Sequence, residues 1–246
     1  MIKTVLILYF FSIGLYLKSQ VNSPKNPNKT PVLEEQLARI FKTPESAAQY
    51  LSIRLFPDDL FDDSTKKDLI YQNDFDGLIS VLTVNLDEAV KSVNRNEIEH
   101  WNLPDEKLFS LAKEQTKKLV KDVSFEAVDV DKGMKYYFAY DEPNYFVNSL
   151  LFFPDLLKKF DRNKKGIIIG IPARHMCTIM PLNSTKTIYE DLTQYYNFLI
   201  QVYTNEPNPT TLKMFLYKEG NLYTISALYD NEDNFVRFLA PDVLTK

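Results

Sequence analysis

The stretch GIIIGIPARHMCTIM, residues 166–180, decides the architecture. Gly166 to Ile171 is a short continuous apolar run, the pattern of a strand buried on both faces. Pro172 ends the run, and His175 to Met180 then continues the strand or pairs back on it. A central hydrophobic strand needs strands beside it and layers above and below. The flanking sequence supplies both.

Hairpin signals lie on either side. Val123–Val130 and Met134–Tyr140 are joined by Asp131-Lys132-Gly133, and Leu212–Lys218 and Leu222–Leu228 flank Glu219-Gly220-Asn221. Helical patterns stand apart from them. Leu33, Leu37 and Ile40 mark an amphipathic helix over Val32–Phe41. Thr43-Pro44-Glu45-Ser46 opens another, with Thr as N-cap and Pro in the first turn. That helix is expected to carry Ala47, Ala48, Leu51 and Leu55 and to stop before Pro57. Pro104–Lys121 and Thr187–Tyr203 give the two longest helices, the first with acids at its start and lysines at its end, in line with the helix dipole. Residues 78–93 are ambiguous: Leu78–Val84 has strand character, whereas Leu86, Ala89, Val90 and Val93 fit helical spacing. Together these features predict an α+β fold, a mainly antiparallel sheet built from hairpins and covered by several helices.

The chain has 246 residues, 45% hydrophobic and 25% charged, ordinary values for a globular protein. A net charge of −4 lacks the basic footprint of a nucleic-acid binder, so no nucleic-acid partner is expected. Two His and one Cys are too few for a four-ligand Cys/His zinc site or an internal disulfide. Nothing matches the phosphate-loop, dinucleotide or nucleophile-elbow patterns, and no cofactor or metal is expected.

The first residues read as an export signal. Lys3 precedes the unbroken apolar run Thr4–Leu17, and Lys18-Ser19-Gln20 ends it. Fourteen residues span about 21 Å as a helix, short of the roughly 30 Å of a bilayer core. The expected organisation is a signal peptide over 1–19, a Pro-rich tether over 20–31 and one α+β domain over 32–246. Cleavage is expected between Ser19 and Gln20. The product would be periplasmic or secreted, with no stable membrane span once the signal is removed; an uncleaved N-terminal anchor is the alternative.

Chemistry-bearing residues are sparse. His175 and Cys177 are the one Cys–His pair, but neighbours two apart on a strand are about 6–7 Å apart, too far for a thiolate–base contact. Arg174 closes the apolar strand and has the fork that grips a carboxylate or phosphate. His100-Trp101 reads as an aromatic anchor with a histidine at the rim. Asp74-Phe75-Asp76-Gly77 imitates a calcium loop, yet Gln72 and Thr83 stand where acids are required. No catalytic residue is assigned. The candidate binding residues are Arg174, His175, His100 and Trp101.

Several blocks in sequence resemble the bacterial YtpQ-type family, whose members have no established activity. These are Val81–Val93 (VLTVNLDEAVKSV), Asn94–Leu108 with Ala112, Tyr145–Phe160 (YFVNSLLFFPDLLKKF), Gly166–Pro172 with Arg174, and the last hairpin. The likeness covers roughly residues 45–228 and implies a hairpin at the ambiguous stretch 78–93. The family carries an acidic residue after the P-x-R step, where this chain has His175.

Three readings of function follow. The first is a non-enzymatic domain that binds a protein, peptide or small ligand. The second is a hydrolase at the Arg174/His175 edge, which needs His100, Asp141 or Asp230 to converge there. The third is glycan stacking, which needs Tyr136, Phe138 and Tyr140 exposed as a strip.

Overall fold

The computed structural model describes residues 30–86, 89–130, 135–141, 145–182, 188–230 and 235–239. The expected signal and most of the tether lie outside the described residues. Two compact units are distinguished, residues 1–40 and 41–246. In the first unit, α1 (Thr30–Ile40) carries an exposed Arg39–Glu35 pair one turn apart.

The second unit opens with a single turn, α2 (Pro44–Ala47). Thr43 caps it, its Oγ1 accepting from Ser46 N while Ser46 Oγ accepts from Thr43 N. The helix expected to run on to Leu55 stops here. Residues Leu51–Pro57 form β1, buried from Leu51 to Phe56. The reason lies in the spacing. Positions 47, 51 and 55 fit both a helix and a strand of period two, and Ile53 between them completes the strand face.

The chain continues through α3 (Asp63–Asp68), β2 (Tyr71–Phe75), β3 (Leu78–Leu86) and β4 (Ala89–Ser92). The ambiguous stretch is thus a hairpin, pairing Thr83 with Ser92 and Leu86 with Ala89. Strand β3 is the spine of a four-stranded antiparallel sheet: β1 lies on one edge, and β2 and β4 follow one another along the other. After α4 (Arg95–Ile98) and a 3-10 turn (Glu99–Trp101), α5 (Asp105–Val120) packs on β1. The joint is polar as well as apolar, because buried Thr116 accepts from Ile53 N at 2.8 Å and donates to Ala112 O.

The second sheet holds β5 (Glu126–Asp129), β6 (Lys135–Tyr140), β7 (Ile167–Ala173), β8 (Met176–Pro181), β9 (Met214–Lys218), β10 (Asn221–Asp230) and β11 (Phe235–Leu239), in the spatial order β11-β10-β9-β7-β8-β6-β5. Every pairing in it is antiparallel. Strand β7 is central and buried along its whole length, as the run GIIIGI requires. The β9–β10 turn has positive φ at both Glu219 and Gly220, 52° and 85°, the two-residue geometry that matches strand twist.

Between β6 and β7 the chain winds into two 3-10 helices, Val147–Phe152 and Pro154–Phe160. They sit in the main core with Leu55 and Leu78 of the first sheet, Val120 of α5, and Ile167, Ile169, Ile179 and Phe215 of the second. The longest helix, α6 (Ile188–Asn205), covers the opposite face of the second sheet through Tyr195, Phe198 and Leu199. No helix among the described residues is long and apolar enough to cross a membrane.

Candidate functional site

Strand β7 cannot finish regularly. Pro172 has no N–H for the ladder, and the β7–β8 register shifts between Gly170 and Ala173. Beyond the shift, the end of β7 takes a new neighbour. Thr211 N donates to Ile171 O, Thr210 N to Pro172 O, and Arg174 N to Asn208 O. Ala173 pairs again with Met176, leaving Arg174 and His175 as the two residues of the turn. Buried Asn148 supports the turn from below, its Nδ2 donating to Ala173 O at 3.1 Å.

Three elements converge on this turn. From β1 comes Arg54, only 5% exposed, with its guanidinium carbon 4.4 Å from the centre of the Phe146 ring. From the end of β6 come Tyr140 and Asp141. The Asp141 amide donates to His175 O at 3.0 Å, and its carboxylate accepts from Phe146 N at 2.8 Å. From the end of α6 comes Glu206, whose Oε2 is 3.7 Å from His175 Nε2.

Tyr145 links the parts. Its ring lies 5.6 Å from the Arg174 guanidinium, 6.0 Å from that of Arg54, and edge-on to the His175 ring. Tyr145 holds φ at 57°, a conformation costing a bulky residue on the order of 1–2 kcal/mol. Its amide is fixed by Asp141 O at 3.0 Å.

Arg174 is the unusual member. Its guanidinium lies against Phe56 at 5.0 Å and Tyr145 at 5.6 Å. Among the described residues it has no carboxylate partner. Ring contact satisfies the faces of a guanidinium but not its N–H edge, which needs oxygen acceptors. Electrostatics sharpen the contrast. Burial, and then the neighbouring Arg174 charge, hold Arg54 down at about 10 against the pull of Asp141 and Tyr145. Burial likewise lowers Arg174. Both remain charged at neutral pH, so two like charges share a partly desolvated corner.

The other candidates stand elsewhere or do other work. Trp101 is buried and donates from Nε1 to Phe41 O at 3.0 Å. His100 is exposed, with Nε2 3.4 Å from Lys42 O. Among the described contacts, none joins this pair to Arg174 and His175, so the four candidates are two separate places rather than one site. Cys177 points into the main core, fully buried, and burial alone pushes its thiol up to about 12. A thiol so placed supplies no thiolate at neutral pH. Asp76 of the calcium-like segment pairs with Lys213. Among the described residues, no group of three His, Cys, Asp or Glu is arranged to hold a metal ion. Tyr136 and Phe138 are buried at 2% and 4% beneath α6, leaving Tyr140 alone of its strip at 40% exposure.

The sequence offered one usable signal that pointed to more of this corner. Arg54 is the single charge in the run LSIRLF, and a charge inside a buried strand demands partners. Phe56, Tyr145 and Glu206 carried no such mark. Comparison with protein-family models, with curated proteins and with solved structures finds no match for this chain.

Proposed function

We propose that this chain is an exported, non-enzymatic α+β binding domain, and that its ligand, a protein, peptide or small molecule, docks at the Arg174–His175 turn. The observation that supports this most is the half-buried Arg174 guanidinium, lying beside the Phe56 and Tyr145 rings and lacking a carboxylate partner among the described residues. A folded chain gains little by half-burying an arginine that it does not pair. Binding sites, by contrast, are where aromatic rings and guanidinium groups gather. The export part of the proposal is supported by Lys3 and the run Thr4–Leu17, and the YtpQ-type likeness stays with it as a proposed kinship.

The hydrolase reading keeps one observation in its favour, the meeting of Arg174, His175 and Asp141. That contact runs backbone to backbone, the Asp141 carboxylate accepts from Phe146 N, and the Cys177 thiol is sealed in the core. The glycan reading has Tyr140 alone to work with, where a stacking surface takes at least two rings.

The test is an amide chemical-shift map of the full chain titrated with a small-fragment library of mixed charge. Fragment responses are expected to concentrate at residues 140–141, 145, 174–175 and 206–208. Responses scattered over the surface, or concentrated at His100 and Trp101, would refute the assignment. Release of product from any hydrolysable fragment, lost in His175→Gln, would favour the hydrolase.

A further inference from the structure

We propose that the turn receives its ligand through an oxyanion, a carboxylate or a phosphate, seated on the N–H edge of Arg174. This rests on the reading of the turn as a binding site and adds the chemical class of what binds there.

The argument begins with what a guanidinium offers. Its five donors lie in one plane, and the pair along an edge matches two oxygens of a carboxylate or phosphate. A cation–π contact consumes none of those donors. Phe56 and Tyr145 lie 5.0 and 5.6 Å from the Arg174 guanidinium carbon, so the group stands beside two aromatic rings with its donors still to be satisfied.

Charge at the turn is mixed, and Arg174 is the member that lacks a carboxylate partner among the described residues. The Arg174 charge lies close enough to Arg54 to lower the Arg54 pKa, and Asp141 opposes that shift. Of the two described carboxylates nearby, Asp141 accepts from Phe146 N and Glu206 lies 3.7 Å from His175 Nε2. An oxyanion arriving at Arg174 therefore displaces no salt bridge of that residue among the described contacts. Beside it, Tyr140 stacks on His175 with 25° between the ring planes and remains 40% exposed. It gives a flat wall for an apolar group attached to the anion.

The probes are benzoate, inorganic phosphate, and two isosteres of benzoate, neutral benzyl alcohol and cationic benzamidine. Each is titrated into the full chain, and amide shifts at the turn are followed together with the thermal midpoint. Benzoate or phosphate, or both, are expected to saturate, with Arg174→Gln weakening them about tenfold or more and Arg174→Lys by less, since Lys keeps the charge but loses the fork. Exposed Arg162→Gln should leave the titration unchanged. Saturation by benzoate alone identifies a carboxylate ligand, and saturation by phosphate alone a phosphorylated one. The proposal is overturned if neither anion saturates, if Arg174→Gln binds them as well as the parent chain, or if benzamidine or benzyl alcohol binds as tightly as benzoate. A fragment of either of the last two kinds mapping to the turn without an anion response would remove the oxyanion and leave the binding-domain reading standing. Should Arg174→Gln fail to fold, Arg174→Lys and the isosteres decide the question.

Discussion

Phe215→Ala is expected to destabilise the second unit by about 3–5 kcal/mol, the range for removing a buried aromatic ring. Phe215 lies on β9 and is fully buried, in edge contact with Phe75 of β2 at 5.8 Å, and Phe75 in turn meets Phe152 at 5.2 Å. One ring from each sheet and one from the 3-10 segment thus form a single contact chain. Truncating Phe215, the end of it that the second sheet contributes, opens a void in a close-packed core that cannot collapse easily. Urea unfolding, followed by circular dichroism, measures the change. A loss under about 1 kcal/mol would mean that the two sheets do not share this core.

Gly170→Val is expected to cost about 3 kcal/mol, part from overpacking and part from a broken hydrogen bond. Gly170 lies mid-strand on β7, under α6. A Cβ there would stand 2.7 Å from Leu199 Cδ2, 2.8 Å from Thr178 Oγ1 and 2.9 Å from the Tyr195 hydroxyl. Leu199 can rotate away. The other two cannot, because the Thr178 and Tyr195 hydroxyls are hydrogen-bonded to each other at 2.5 Å and both residues are fully buried. Parting them leaves a hydroxyl without a partner in the core. Gly170→Ala should show a smaller loss of the same kind. Unfolding midpoints of both variants test this, and a Gly170→Val chain as stable as the parent would place α6 farther from the sheet.

These two sites also show what was readable from sequence. The burial of β7 was legible because GIIIGI has no polar face, and the hairpin after Lys218 because Glu219-Gly220 can adopt positive φ. The β1 strand was not, since Ala47, Leu51 and Leu55 fit two periods at once and only tertiary pairing to β3 separates them. The division into two sheets was equally hidden: it depends on which hairpin pairs with which, and local pattern carries no such information. The segment Val147–Phe160 is apolar enough for a helix, but Pro154 interrupts it and its place in the core favours the tighter winding.

The candidate site divides in the same way. Arg174 and His175 could be named because they end an apolar strand after a proline. Their surroundings could not, because Arg54, Tyr145 and Glu206 are contributed by β1, the segment after β6 and the residue following α6. Tyr145 in particular reaches both arginines from a left-handed backbone that no local pattern announces. His100 and Trp101 attracted notice as rare residue types, yet their partners are the Phe41 and Lys42 carbonyls, a structural corner.

The central claim is that Arg174 lies beside two aromatic rings and receives an oxyanion on its donors, and the side-chain 1H–15N spectrum of the full chain reads this directly. The Nε–Hε signal of Arg174, assigned by its loss in Arg174→Lys, should lie upfield of the solvated-arginine position in the free protein, shifted by the Phe56 and Tyr145 ring currents. It should then move downfield as benzoate is added. A signal at the solvated position that ignores benzoate would contradict both the ring contacts and the site built on them.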